Sequence, residues 1–354
     1  MRRRILSWYR KHKRDLPWRR TRDPYAIWVS EIMLQQTRVE TVLPFYERFL
    51  HRFPGVRSLA RARESQVLAA WSGLGYYRRA RNLHAAARAV VRQHQGRVPE
   101  ERAALLELPG IGEYTASAIA SIAFGHAAAA VDGNVIRVLA RIGGHSGRRD
   151  SLVLRGTVTA MAESLAQGPR PGDWTQALME LGATICLPRE PLCVRCPASR
   201  FCVARRGGRP ERFPEAQPAV APREERRVVL VATSGRRVLL VPDDADERAT
   251  WTLPYARLGA STGSKAARGL LSRLVGSAGP DPDRAGSFRH RTFSHSLTYE
   301  IWSVDLRARP SQGRPGCPDP ARPPRPKSLW ATSNELGRLP VRSHTLKALR
   351  SLDR

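Results

Sequence analysis

The sequence has no long apolar run, few cysteines and very little lysine. No stretch of about 18 apolar residues occurs, so no membrane-spanning helix and no membrane partner are predicted. The basic N-terminus lacks the apolar stretch of a secretory signal, and we expect a cytoplasmic protein. Only five of the 60 Lys and Arg residues are lysines, and none lies between Arg14 and Ser264. Most of the chain therefore has no side-chain amine that could act as a nucleophile.

Acidic residues are also scarce relative to basic ones. With 31 Asp and Glu residues the formal net charge is +29. A surplus of this size favours a polyanionic partner, because each cation placed near a phosphate can release condensed counterions. Nucleic acid is the leading candidate. The strong preference for arginine over lysine leaves open that codon bias contributes part of the surplus.

The 354 residues exceed the usual size of one domain. Residues 1–205 have the periodic Ala, Leu and Arg pattern of a helical domain. Residues 206–227, rich in Pro, Gly and charge, predict a linker. Within 228–354, the apolar runs 228–231 and 238–241 predict paired strands joined by a turn at Ser234-Gly235, which opens an α+β domain. The Pro-rich segment 308–327 is typical of a disordered insertion.

Four of the five cysteines fall in one short segment, which excludes a dispersed disulfide framework. Their spacing, C-x6-C-x2-C-x5-C, lets the thiolates converge on one soft metal centre. Zinc is the alternative, but structural zinc sites more often use two close pairs, so the spacing favours a 4Fe–4S cluster. The proposed ligands are Cys186, Cys193, Cys196 and Cys202, whereas Cys317 lies in the Pro-rich segment and is expected to be inert.

A glycine turn, Leu108-Pro109-Gly110-Ile111-Gly112, separates two helical patterns at 100–107 and 113–124. Backbone N–H groups at such a turn can approach a phosphate without side-chain obstruction, although glycine turns also join packed helices without any ligand. The segment Val131-Asp132-Gly133-Asn134-Val135 and the cysteine cluster follow in the same order as in the endonuclease III superfamily, which the chain resembles.

Within that superfamily the chain is most similar to MutY-type adenine glycosylases. The similarity rests on Leu16-Pro17-Trp18-Arg19, on residues 28–37 (WVSEIMLQQT) and on Gly73-Leu74-Gly75-Tyr76-Tyr77. It implies an all-α helix-hairpin-helix glycosylase domain with an iron-sulfur loop, followed by a Nudix-like domain. It also implies a monomer that removes adenine mispaired with 8-oxoguanine or guanine in double-stranded DNA.

Two carboxylates are candidates for the chemistry of breaking an N-glycosidic bond, which requires an acid and an anion. Glu31 lies mid-helix among apolar residues, where desolvation raises the pKa of a carboxyl group. The resemblance implies that it protonates adenine N7, and an ordinary exposed helical Glu is the alternative. Asp132 then stabilises the positive charge developing at C1′, or bonds to it transiently, and it can also cap a helix.

Tyr114 occupies the position where bifunctional relatives that resemble endonuclease III have a Schiff-base lysine. The helical domain lacks lysine after Lys13, so the amine needed for efficient strand cleavage is missing. We therefore predict base removal that leaves an intact abasic strand.

The target base must leave the stack before it reaches the carboxylates. The resemblance implies that Gln36, Leu74 and Tyr76 act at the lesion and the neighbouring step, with Leu74 and Tyr76 as core residues in the alternative. The backbone at Gly110 and Gly112 is assigned to DNA. Trp18, Arg19 and Glu180 are assigned to the adenine pocket, with a helix-surface role open for Glu180.

In the second domain, Phe293, Ser294 and His295 resemble the loop with which this family inspects 8-oxoguanine, although a strand edge with incidental polar residues is the alternative. Residues 265–275 contain no acid, so nucleotide hydrolysis of the Nudix type is not expected. Two rival functions stay open. One is a glycosylase of the same fold that acts on thymine or oxidised pyrimidines, and the other is a non-enzymatic iron-sulfur protein that binds DNA or senses redox state.

Overall fold

The computed structural model describes residues 1–216, 222–243, 250–259, 261–275, 280–291, 295–307 and 328–352. The chain divides into two compact units, Met1–Arg61 with Asn82–Ala219 and Ala62–Arg81 with Val220–Arg354. No helix in these ranges is long and apolar enough to cross a membrane. The Pro-rich segment 308–327, including Cys317, lies outside the described residues.

The observed division differs from the sequence-based limits of 1–205, 206–227 and 228–354 in two places. Residues 62–81 belong to the second unit, because Ser72 and Tyr77 hydrogen-bond to Val341. The first strand begins at Arg223, inside the predicted linker, because it pairs there with a later strand at His295.

The first unit is helical, as predicted. One buried core forms where the apolar faces of four helices meet around Ile5, Leu139, Val158 and Trp174. The helices of this part of the chain are α1 (Arg2–His12), α2 (Pro24–Leu34), α3 (Val39–Arg52), α4 (Val56–Arg61), α5 (Glu64–Ala70), α6 (Arg78–Gln93), α7 (Arg102–Leu106), α8 (Glu113–Ile122), α9 (Gly133–Gly143), α10 (Leu152–Ala166), α11 (Pro171–Thr184) and α12 (Val203–Arg206). Of these, α5 and the start of α6 belong to the second unit.

Local capping explains where the functional helices begin. The Asp23 carboxylate accepts a hydrogen bond of 3.1 Å from the N–H of Tyr25, and Pro24 occupies the first position of α2. The helix ends at Leu34, because the next residue, Gln35, has a ψ of 113°, outside the helical region. The two helices around the glycine turn, α7 and α8, are each shorter than their sequence patterns at 100–107 and 113–124.

The second unit contains a mixed sheet and flanking helices. Its elements are β1 (Arg223–Ser234), β2 (Arg237–Pro242), β3 (Trp251–Thr252), β4 (Tyr255–Arg257), α13 (Gly263–Val275), β5 (Asp283–Arg291), β6 (His295–Asp305), β7 (Leu329–Thr332), α14 (Ser333–Leu336) and α15 (Ser343–Leu352). The strand order is β3-β2-β1-β6-β5, in which β4 pairs with β1 and β7 with β2. The predicted hairpin at Ser234-Gly235 is confirmed by the antiparallel pairing of Ser234 with Arg237, whereas β1 and β6 run parallel.

Alternate side chains of β1 enter two different apolar clusters. Val229 and Val231 pack with Ala348 of α15, and Val228 and Leu230 pack with α13. The sheet is therefore covered by helices on both faces, and the α+β fold predicted for the Nudix-like domain is confirmed.

Candidate active site

The first unit contains a pocket of about 710 Å³ between α2, α8, α11, the start of α9 and the short helix Pro17–Arg19. Its size is typical of a small-molecule site. It brings together seven residues that the sequence had assigned to catalysis, lesion contact or adenine binding: Trp18, Arg19, Glu31, Gln36, Tyr114, Asp132 and Glu180.

Glu31 is a buried acid in this pocket, only 6% exposed, which overturns the alternative of an exposed helical Glu. The hydroxyl of Tyr114 donates a hydrogen bond of 2.7 Å to its Oε2. Burial raises the pKa of Glu31 to about 7. The hydrogen bond from Tyr114 lowers this pKa in part, and the negative charge of Asp132 raises it further. Glu31 can therefore hold a transferable proton near neutral pH.

Asp132 caps a helix, which is one of the two roles that the sequence left open for it. As the N-cap of α9 it accepts hydrogen bonds of 2.7 Å from the N–H of Val135 and 3.0 Å from Nδ2 of Asn134. Burial raises the pKa of Asp132, while these hydrogen bonds and the charge of Arg137 act in the opposite direction. Its carboxylate is thus held by donors inside the same pocket as Glu31.

Glu180 is fully buried and lies between two arginines, so it is not a helix-surface residue. Its Oε1 accepts from the backbone N–H and from Nε of Arg14, at 3.0 and 2.9 Å, and Oε2 accepts from Nη2 of Arg19 at 2.8 Å. Burial alone would raise the pKa of Glu180, but the hydrogen bonds from Arg14 and Arg19 outweigh it and set the value at about 2. No local pattern in the sequence points to Arg14, because Arg14 and Glu180 lie 166 positions apart in the chain.

The glycine turn before α8 is exposed at both glycines. Gly110 has a φ of 78°, and a Cβ there would lie 2.5 Å from Cβ of Asn82. A Cβ at Gly112, the N-cap of α8, would meet nothing within 4 Å. Leu108 and Ile111 are buried and anchor the turn. The backbone is thus open to solvent at the start of α8, as the DNA-binding prediction requires.

The four clustered cysteines line one small cavity of about 20 Å³ beside α9 and α11 and form no disulfide with one another. The buried guanidinium of Arg141 fixes the surrounding loop by donating to the carbonyls of Leu187, Pro188 and Phe213 at 2.6–2.9 Å. It also lies 3.4 Å from Sγ of Cys186. The intervening Arg189, Arg195 and Arg200 are exposed.

Arg137 connects this loop with the pocket. No local pattern in the sequence points to this residue. Its Nε donates to the carbonyl of Cys186 and its Nη2 to Oδ1 of Asn134, both at 2.8 Å. Since Asn134 donates to Asp132, a continuous path of hydrogen bonds leads from a cysteine of the cavity to the pocket carboxylate.

The remaining assigned residues lie in the second unit. Tyr76 is 52% exposed. Leu74 is only 6% exposed, as expected if it is a core residue rather than a DNA contact. His295 begins β6 and is half-buried. Phe293 and Ser294 lie outside the described residues.

Comparison with known proteins identifies the family. The chain is 36% identical over 405 residues to the adenine DNA glycosylase of Mus musculus, covering 98% of this chain and 76% of that protein. The chain belongs to the adenine DNA glycosylase family. The family model for HhH-GPD superfamily base excision DNA repair proteins matches residues 29–157.

Two further comparisons separate the two units. The adenine DNA glycosylase of Homo sapiens is 35% identical over 408 residues, covering 98% of this chain and 72% of that protein. The solved structure of a thermostable thymine-DNA glycosylase is 35% identical, with a TM-score of 0.54, and covers 58% of this chain and 95% of its own. The adenine glycosylases are therefore similar to both units, whereas the thymine glycosylase matches only part of the chain.

Proposed function

We propose that this chain excises adenine opposite 8-oxoguanine or guanine from double-stranded DNA in base excision repair, as a monofunctional glycosylase. The observation that carries the proposal is the placement of Glu31 and Asp132 in one pocket, where Glu31 has a pKa of about 7. A non-enzymatic iron-sulfur protein would not require such a pair of buried carboxyl groups.

The proposed chemistry uses an acid and an anion in sequence. Glu31 transfers its proton to adenine N7, and the C1′–N9 bond then breaks with its electron pair leaving on adenine. The Asp132 carboxylate stabilises the positive charge at C1′ or bonds to it transiently. Water finally supplies hydroxide to C1′, and its second proton returns to Glu31. The products are free adenine and an abasic sugar.

Strand cleavage would require an amine at the position that Tyr114 occupies. The phenol cannot form a Schiff base, and its hydrogen bond to Glu31 gives it a different role, which is to favour the ionised form of that carboxyl group. Among the described residues of the first unit, neither the N-terminal amine nor Lys11 or Lys13 lines the pocket. These facts support base removal without cleavage of the strand.

Adenine, rather than thymine, is supported by the extent of the family match. The similarity to the adenine glycosylases includes the second unit, where His295 and its neighbours are proposed to read 8-oxoguanine. Trp18, Arg19 and Glu180 would surround the flipped adenine, and Gln36 and Tyr76 would contact the lesion and the adjoining step. We further propose that the chain acts on DNA as a monomer.

The residues of the cysteine cavity fit a 4Fe–4S cluster. Their four thiols line one largely apolar cavity, and four cysteine thiolates are the usual ligand set of such a cluster. Their spacing also lacks the two close pairs that are more common in structural zinc sites. When bound, the cluster supplies a cross-link between the four thiolates. Cys186, Cys193, Cys196 and Cys202 would hold it.

The test is a single-turnover assay with four duplexes that contain A opposite 8-oxoguanine, A opposite G, T opposite G, and an oxidised pyrimidine. We expect adenine release from the first two and strand breaks only after alkali treatment. Borohydride should trap no covalent adduct. Release of thymine or of the oxidised pyrimidine would contradict the adenine assignment, and rapid borohydride trapping would contradict the monofunctional one.

A further inference from the structure

A short segment near the C-terminal end of the described chain contacts two distant parts of the second unit. We call this segment, residues 341–345, the strap. Its first residue, Val341, is fully buried, and it is followed by the start of α15. Four hydrogen bonds join the strap to β3 and its neighbour: Arg342 N–H to the Trp251 carbonyl (3.0 Å), Leu253 N–H to the Thr345 hydroxyl (3.1 Å), a Thr252–His344 bond (2.9 Å) and a bond between the Thr252 and Thr345 hydroxyls (3.0 Å).

At one end, the strap is clamped by two side chains that flank the loop 73–76. The Tyr77 hydroxyl donates 2.6 Å to the Val341 carbonyl. Ser72 makes two further bonds with the same residue: its Oγ donates to the carbonyl and accepts from the N–H, both at 3.2 Å. The Arg342 guanidinium lies 5.9 Å from the centre of the Tyr77 ring. Both ends of the loop are therefore attached to the strap.

The clamped loop has an unusual backbone. Gly73, Gly75 and Tyr76 have φ values of 104°, 74° and 51°, a region that non-glycine residues seldom adopt. Such a conformation persists only when its surroundings over-determine it. The indole of Trp71 contributes a hydrogen bond of 3.2 Å to the Gly75 carbonyl. The result is that Tyr76, which carries the strained backbone, is presented to solvent.

At its other end, the strap lies against the β5–β6 hairpin. The His344 ring stacks on the Tyr299 ring with 5.2 Å between centres, and Tyr299 stacks in turn on Phe288 at 4.9 Å. Phe288 and Tyr299 are cross-strand partners of this hairpin. The His290 ring lies 6.4 Å from His344. The base of the hairpin that leads to residues 293–295 is thus held by His344, three residues after Val341.

We infer that the strap is a positioning element which holds the Tyr76 loop and the paired strands β5 and β6 in one arrangement, so that Tyr76 and His295 engage DNA together. This inference rests on the proposed function. Ser72, Tyr77 and His344 touch neither the base nor the sugar in this scheme. They act through the loop and the hairpin that they hold.

The test uses Tyr77→Phe, which removes the hydroxyl that donates to Val341 and keeps the ring. Wild type and variant are compared in single-turnover adenine release opposite 8-oxoguanine and opposite guanine. We expect the preference for 8-oxoguanine to fall about fivefold, the factor to which one buried hydrogen bond corresponds. The fluorescence of 2-aminopurine beside the target adenine should report less unstacking in the variant.

Tyr25→Phe is the matched control, because the Tyr25 hydroxyl is also buried and donates 2.9 Å to a backbone carbonyl, that of Phe53, but lies in the first unit. The Tyr25→Phe variant should have the same preference for 8-oxoguanine as wild type, even if its thermal stability is lower. An unchanged preference in Tyr77→Phe, or an equal loss in both variants, would overturn the inference.

A double-mutant cycle tests whether the two ends act as one unit. His344→Leu removes the ring that stacks on Tyr299, and it should lower the preference for 8-oxoguanine as Tyr77→Phe does. The double variant should lose little more than the more affected single variant, whereas independent, multiplying losses would contradict coupling through the strap. If wild type releases no adenine, the proposed function itself fails. If wild type discriminates and Tyr77→Phe discriminates equally well, only the strap inference fails.

Discussion

The hydroxyl of Tyr114 and Oε2 of Glu31 form a hydrogen bond of 2.7 Å between α8 and α2. Because Tyr114 is the donor, the bond stabilises the ionised carboxylate and lowers the pKa that burial raises. The two residues together therefore decide at which pH the acid loses its proton.

This relationship predicts the pH dependence of adenine release. Glu31 must be protonated to act, so the wild-type rate should fall as pH rises through about 7. In Tyr114→Phe the bond that favours the ionised form is lost, the pKa of Glu31 rises further, and the fall should move to higher pH. Single-turnover rates measured between pH 5 and pH 9 check this, at saturating enzyme. An unmoved profile, or one displaced to lower pH, would rule out Tyr114 as the residue that lowers this pKa.

Two substitutions of Asp132 distinguish the effect of its negative charge on adenine release from the effect of its helix cap on stability. Asn is as good an N-cap as Asp, so Asp132→Asn should leave stability within about 0.5 kcal/mol while adenine release falls by about 10²–10³. Asp132→Ala should lose a comparable amount of activity and, in addition, about 1 kcal/mol of stability. Chemical denaturation and single-turnover kinetics measure the two effects, and an active Asp132→Asn enzyme would remove the aspartate from the chemistry.

Glu31→Gln provides the corresponding test of the acid. The amide cannot deliver a proton, so adenine release should fall by about 10²–10⁴. Binding to a duplex with A opposite 8-oxoguanine should stay close to wild type, since a neutral group replaces a carboxyl that is protonated in the working state. Electrophoretic mobility shift and adenine release, measured on the same preparation, separate the two. Near wild-type turnover would refute the role of Glu31.

The burial of Glu180 between two arginines predicts how its substitution changes the free energy of unfolding. Glu180→Gln leaves Arg14 and Arg19 without their carboxylate, and we expect a loss of about 2–3 kcal/mol, less than for a fully buried pair because Arg14 is 37% exposed. The depressed pKa of Glu180 means that this contribution is complete above the ordinary glutamate pKa and disappears as pH falls towards about 2. Urea unfolding at pH 7 and at pH 3 should therefore give a smaller difference at the lower pH.

The matched control for Glu180 is Asp150→Asn, which breaks the exposed ion pair with Arg148. That change should alter the free energy of unfolding by less than about 0.5 kcal/mol. Equal losses of unfolding free energy in the two variants would show that the buried Glu180 contributes no more to stability than an exposed ion pair.

Loss of a cysteine ligand should release the metal. Cys193→Ser should lower bound iron and inorganic sulfide per chain and the visible absorption of the purified protein, because a 4Fe–4S cluster needs its four thiolates. Cys317→Ser, in the Pro-rich segment 308–327, should leave all three unchanged. Elemental analysis that finds one zinc per wild-type chain and no iron would overturn the cluster assignment.

Local signals in the sequence were sufficient for much of this fold. Asp23-Pro24 marks the start of α2 by a capping and a φ preference that act within a few residues. Ser234-Gly235 identifies the β1–β2 turn in the same way, because Gly235 supplies a φ of 63°. The apolar neighbours of Glu31 likewise predicted its burial and the direction of its pKa shift.

What the sequence could not reveal is the pairing of residues far apart in the chain. Arg14 meets Glu180 and Tyr77 meets Val341 because separate elements pack together, and no spacing rule connects positions 166 or 264 residues apart. The burial of Arg137 and Arg141 was hidden for a related reason. Both lie in an arginine-rich sequence, and only the carbonyl acceptors of a distant loop distinguish them from exposed arginines.

Arg141 also has a consequence for the order of events when the chain is synthesised. A guanidinium that is only 2% exposed cannot stay buried without acceptors, and its acceptors include the carbonyls of Leu187, Pro188 and Phe213, all later in the chain. Burial of α9 around Arg141 must therefore wait until residues up to 213 have left the ribosome. The cysteine loop is thus not a late addition to a finished helical unit, because α9 cannot bury Arg141 without the carbonyls of that loop.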